Sequence, residues 1–198
     1  YIRVCRMSRQ RGVSLPDSDA FKVRVSLLND LTVSLRPGTS DASVFIETLV
    51  GQFHVPPPEV HPKIIWDLGA NVGLTAAHYA VLFPDALIQA VEAVPQLAEI
   101  ARQNTSPWID RVEIIEAAIW PFDKELTFSM SFGNEYGGSV NNDGSGFIVQ
   151  GRSLNSILPK DQIVDFLKMD IEGAEQHVLR EETEWADRAR VIKVECHD

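Results

Sequence analysis

Cysteine is scarce in this 198-residue chain: only Cys5 and Cys196 occur, almost at opposite ends. Two such residues make no disulfide framework and show no metal-ligand spacing, so neither cross-links nor a structural metal is expected. Cys196 reads as a buried strand residue. Long apolar runs are also missing, and the start YIRVCRMSRQRG lacks the apolar stretch of a secretion signal. No membrane span is expected, and a cytoplasmic setting is the default. Positive charge is in deficit, with 18 Lys and Arg against 28 Asp and Glu, a formal net charge of −10. A phosphate backbone would be repelled overall. The one basic run, Arg3, Arg6, Arg9 and Arg11, reads as a solvated arm, so nucleic acid is a disfavoured partner.

What is present suits one globular domain, with 44% hydrophobic and 23% charged residues and length enough to bury a core. Residues 1–60 read as a lead-in: a loose arm, a hairpin over 22–27 and 31–36 about Asn29 and Asp30, and a helix near 42–51. Pro56, Pro57, Pro58 and Pro62 make a stiff linker before a main domain over 61–198. There strands are expected at 63–69, 87–92, 111–119, 164–170 and 190–196, with helices at 72–83, 95–104, 153–158 and 174–183. Residues 125–132 and 147–151 read as additional strands about a Gly- and Asn-rich loop, 133–146, which is either a lid or a hairpin tip. Repeated strand–helix alternation predicts an α/β fold: a doubly wound, mainly parallel, Rossmann-like sheet with helices on both faces. Its ligands bind outside the carboxyl ends of the strands.

The segment Asp67, Leu68, Gly69, Ala70, Asn71, Val72 and Gly73 is the first place to look. A dinucleotide fingerprint would need glycine where Asn71 and Leu74 stand, and a phosphate loop would need a Gly-Lys-Ser/Thr ending. A nicotinamide enzyme is therefore disfavoured. Asp67 at a strand end suits a ligand that is cationic and carries no phosphate, which describes S-adenosylmethionine with its ammonium and sulfonium. The bland alternative is that the two glycines only pack helix against strand. Glu92 closes the second strand, where a carboxylate takes ribose hydroxyls. Ala117 and Ala118 end the third and leave room for an adenine ring, or simply for close packing. Asp170, Glu172 and Glu175 gather in one turn after the fourth strand. They either complement a helix start or furnish a base. His197 follows the fifth strand and titrates near neutrality. His54, His61, His78 and His177 read as linker or helix-surface residues, and no metal cluster is evident.

Taken together, DLGANVG, AVEAVPQ, IIEAAIW, GGSV, FLKMDIEGAEQHVL and VIKVECH, with LRPGTSDASVF upstream, resemble the FkbM-type methyltransferases over roughly residues 23–198. The resemblance implies a class I methyltransferase fold and methylation of a hydroxyl on a sugar, lipid or secondary metabolite by S-adenosylmethionine. It implies that Asp67, Gly69, Ala70, Asn71 and Gly73 surround the methionine part of the cofactor. Glu92 would hold the ribose, Ala118 the adenine side, and Asp170 and Glu172 the region of the transferred methyl group. Asp170, Glu172 and His197, in that order, are the candidate bases. The chain departs from the family at Ala93, where Pro is usual, and at Asn155, where Asp is usual. It also stops after the fifth strand, where the fold normally adds a closing antiparallel pair. These departures keep a second reading open, a degenerate methyltransferase fold that binds without turnover.

Overall fold

The computed structural model describes residues 20–129, 139–140 and 146–196. Cys5, His197 and most of the expected loop 133–146 lie outside the described residues.

The described chain opens on the expected hairpin. Strand β1 (Phe21–Val25) pairs antiparallel with β2 (Leu31–Leu35), from Phe21 opposite Leu35 to Val25 opposite Leu31. Asn29 and Asp30 both sit in the left-handed region, at φ 55° and 62°, which these two side chains tolerate better than other non-glycines. Helix α1 (Asp41–Ile46) then widens into a π-helical turn over Glu47–Gly51. The buried Asp41 carboxylate accepts the Arg36 backbone N–H at 2.7 Å and its guanidinium at 2.6 Å, tying β2 to α1.

The main domain alternates as expected: β3 (Ile64–Leu68), α2 (Leu74–Leu82), β4 (Leu87–Glu92), α3 (Pro95–Thr105) and β5 (Val112–Glu116). Then β6 (Ala118–Ile119), β7 (Lys124–Ser129), β8 (Ser139–Val140) and β9 (Phe147–Arg152) form a separate sheet in the order β6-β9-β7-β8. Helix α4 (Leu154–Ile157) leads to β10 (Phe166–Met169), α5 (Glu175–Val178), a 3-10 segment over Thr183–Arg188 and β11 (Ile192–Val194). The five-stranded sheet runs β11-β10-β3-β4-β5, and every pairing is parallel. Every residue of β3 after Ile64 is buried, because helices and the lead-in cover both faces.

The expected strand 111–119 divides at Ala117. Its N–H donates to Glu92 O at 3.0 Å, and β6 then leaves to pair with β9, Ala118 opposite Gly151. One apolar run thus serves two sheets, which hydrophobic periodicity cannot reveal. The expected helix 174–183 is shorter, because Trp185 is drawn into the core and Glu182 reverses the chain at φ 51°. Cys196 is exposed rather than buried, since β11 ends at Val194. No described helix is long and apolar enough to cross a membrane.

The lead-in shares a core with the main domain: Leu28, Val33, Leu35 and Leu49 pack with Val72, Leu74, Ala77 and Leu97. Buried Asn104 on α3 reinforces the join, with Oδ1 accepting Ser34 N–H at 2.8 Å and Nδ2 donating to Val72 O at 2.9 Å. Satisfied amides of this kind fix a register that apolar contacts alone would leave free to slide. This packing also overturns two histidine expectations. His54 and His78 are buried, because the lead-in covers the face of α2 that the linear pattern left to solvent.

Candidate active site

From β3 the chain winds outward through β4 to β5, and it later returns to the other side of β3 as β10 and β11. The loops leaving β3 and β10 therefore diverge, and a cleft opens between them at the carboxyl ends. A cavity of about 760 Å³ lies there, within the range of roughly 300–1,000 Å³ usual for ligand sites. Gly69, Ala70 and Asn71 line it after β3, Glu92 after β4, Ala118 at the start of β6, and Asp170 and Glu172 after β10. Asp67 and Gly73 are not in its lining. Among the described residues no group of three His, Cys, Asp or Glu side chains is placed to hold a metal.

Glu92 organises the first loop. Its Oε2 accepts the Asn71 N–H and its Oε1 the Val94 N–H, each at 2.8 Å, so one carboxylate joins the loops after β3 and β4. Burial pushes its pKa up, and the amides offset part of that. Asn71 is held left-handed at φ 51°, with its Oδ1 accepting the Val72 N–H. Gly73 lets the loop pack closely against α3, where a Cβ would lie 2.8 Å from Ala101 Cα.

The loop after β10 is built in the same manner. Glu175 accepts the Ile171 N–H at 2.7 Å and the Gly173 N–H at 2.8 Å, and is turned into its own loop. That brace holds Glu172, which lines the cavity, left-handed at φ 55°. A non-glycine residue in this region is strained, and the hydrogen bonds of the loop hold it there.

Two lysines and the lead-in complete the cavity. Lys168, on β10 in register with Asp67, lies 3.3 Å from Asp67 Oδ1 and 3.2 Å from Asp170 Oδ2, and donates to Gly69 O at 3.3 Å. Burial disfavours its ammonium, but the two carboxylates outweigh that and hold its pKa above the usual lysine value. Lys193 donates to Val55 O at 3.2 Å and lines the cavity beside Glu195. Val44, Glu47, Thr48, Phe53 and His54 form the remaining wall.

The His54 Nε2 lies 3.0 Å from His78 Nδ1, and Tyr79 donates its hydroxyl to His54 O at 2.8 Å. Burial, then His78, Lys168 and Lys193, lower the His54 pKa to about 3. Between that value and an unfolded pKa near 6.5, the unfolded chain binds the extra proton, so stability is complete above about pH 6.5 and is lost on acidification. Urea melts should show stability falling below pH 6.5 by up to about 1.4 kcal/mol per unit from this group. The fall should be shallower in His54→Phe; an unchanged acid limb would remove His54 as its source.

Residues 67–198, more than half of the chain, match the family described as Methyltransferase FkbM domain. The chain belongs to the FkbM methyltransferase family. Its match with the 2-O-methyltransferase NoeI of Sinorhizobium fredii is 26% identical over 192 residues, covering 86% of this chain and 76% of that protein. Among solved structures, mitomycin 7-O-methyltransferase MmcR is 17% identical with a TM-score of 0.45, covering 79% of this chain and 38% of that one. The precorrin-6y C5,15-methyltransferase of Geobacter metallireducens is 18% identical with a TM-score of 0.37, covering 66% of this chain and 51% of that one. This chain thus spans about half or less of those two solved chains. The family-model match begins at Asp67, downstream of the wall supplied by residues 44–54.

Proposed function

We propose that this FkbM methyltransferase transfers the methyl group of S-adenosylmethionine to a hydroxyl of a small-molecule or glycan acceptor, in the cytoplasm. The observation that carries the reading is the arrangement of one cavity across the switch point. Glu92 stands on the β4 side of β3, and Asp170 and Glu172 stand on the β10 side. The chemistry of the lining fits the cofactor. Ala93, Leu97, Ala117, Ala118 and Phe128 give an apolar slot for adenine beside a carboxylate for ribose hydroxyls. Gly69, Ala70, Asn71 and Asp170 then face the methionine part, with Asp67 beneath them acting through Lys168.

When bound, S-adenosylmethionine supplies a methyl group on a sulfonium, which departs as a neutral thioether with the bonding pair. The protein's share is alignment of the acceptor oxygen, an effect that can contribute roughly 7–11 kcal/mol. It also takes the hydroxyl proton as the new C–O bond forms, at a carboxylate oxygen of Asp170 or Glu172. His197 is the third candidate for that role. Calorimetric titration with S-adenosylhomocysteine, with NAD as control, tests the cofactor. Saturable binding of the first and none of the second is expected. The reverse preference, or no binding by folded protein, would defeat the reading.

A further inference from the structure

The cavity opening has an apolar side. Phe53 lines the cavity yet is 69% exposed, which places its ring at the opening. Gln52 reverses the chain at φ 54°, and the ring folds back over Gly51, where a Cβ would lie 2.8 Å from Phe53 Cε2. Val50 in the π-helical turn and Ile46 at the end of α1 are 59% and 55% exposed and four residues apart in sequence. Three exposed apolar residues thus fall within eight positions, and the last of them, Phe53, lines the cavity. Single exposed apolar residues are commonplace, but a row that ends on a ligand cavity marks a binding surface.

The charge of the lining restricts what can enter. Glu47, Glu92, Asp170, Glu172 and Glu195 face Lys168 and Lys193, and Lys168 is already set between Asp67 and Asp170. An anionic head would be repelled by this lining and by the net charge of −10. On the cofactor reading above, on which this inference rests, a cationic head would meet a sulfonium.

We propose that the acceptor is an uncharged amphiphile. Its hydroxyl-bearing head enters the cavity, and its aliphatic tail lies along Phe53, Val50 and Ile46. The tail surface belongs to the lead-in, upstream of the residues that match the family model.

Octyl β-D-glucopyranoside below its micelle concentration is the probe, with methyl β-D-glucopyranoside and sodium octyl sulfate as controls. Each is titrated calorimetrically into the protein, both alone and saturated with S-adenosylhomocysteine. The octyl glucoside should bind at a single site at least tenfold more tightly than either control. Phe53→Ser should weaken it tenfold or more. Ile109→Ser, at an exposed position leading into the amino end of β5, should leave it unchanged. Octyl sulfate binding as tightly as octyl glucoside would reduce the surface to tail adsorption and overturn the proposal. So would an unaltered affinity in Phe53→Ser. Failure to bind S-adenosylhomocysteine counts against the cofactor reading alone, because the probe is also read on the protein without it.

Discussion

Lys168→Met should destabilise the protein by about 3–5 kcal/mol, the usual consequence of removing one partner from a buried ion pair. The cost arises at Asp67, which has no exposed surface and, among the described residues, no close polar partner other than Lys168. Lys168, at 3.3 Å, is the charge that compensates it. Burial already pushes the Asp67 pKa up, and losing the ammonium pushes it further. Above the unfolded value near 3.9, the folded variant would then hold a proton that the unfolded chain has released. The Lys168→Met defect should consequently grow as pH rises from 5 to 8. Urea melts at the two pH values measure this directly, and adding Asp67→Asn should recover much of the loss by removing the need to keep a buried carboxyl protonated. A Lys168→Met protein as stable as the parent at pH 8 would mean that Asp67 carries no charge in the native state.

That lysine also marks how far the sequence could be read. A charged residue inside FLKM, on a strand buried on both faces, is an anomaly that only a carboxylate partner resolves. The strand-end acids Asp67 and Asp170 were visible, but the register that sets Lys168 opposite Asp67 follows from strand order, which the linear pattern does not carry. The parallel sheet was legible because its strands are almost uninterrupted apolar runs separated by helical patterns, the first two bounded by Pro84 and Pro95. The hairpin was legible because Asn29 and Asp30 announce its turn. By contrast, the division at Ala117 and the burial of His54 depend on contacts between distant segments. The first is a hydrogen bond to Glu92 O, and the second is the packing of the lead-in over α2. His54 and Phe53 carry no motif, and they enter the cavity wall only because that packing brings them there. The two glycines of the first loop separate in the same way. The bland packing reading describes Gly73 against α3, whereas Gly69 both lines the cavity and meets the end of β10.

Gly69→Ala should be the most damaging Gly→Ala change among the described residues. Gly69 sits at φ 84°, where any Cβ is strained, and its added Cβ would fall 1.7 Å from Asp170 O, inside that atom. Because the obstacle is backbone, relief requires the loop after β10 to move away from β3. The moved loop would carry Asp170 and Glu172 with it, and the cleft at the switch point would change shape. The same residue anchors two further contacts, its N–H donating to Val91 O at 2.9 Å and its carbonyl accepting from Lys168. Left-handed strain for an L-residue costs about 1–2 kcal/mol, and forced overpacking adds about 1–3 kcal/mol, so a loss of about 3 kcal/mol or more is expected. Gly173→Ala and Gly38→Ala isolate the backbone contribution. Both glycines are left-handed, at φ 94° and 74°, but a Cβ at either meets nothing within 4 Å. Each should therefore cost only the backbone strain. Urea midpoints for the three variants should rank Gly69→Ala well below the other two, with S-adenosylhomocysteine binding lost in that variant alone. Equal losses at all three positions would show that backbone dihedral, rather than the approach of β3 to the end of β10, is what reserves this position for glycine.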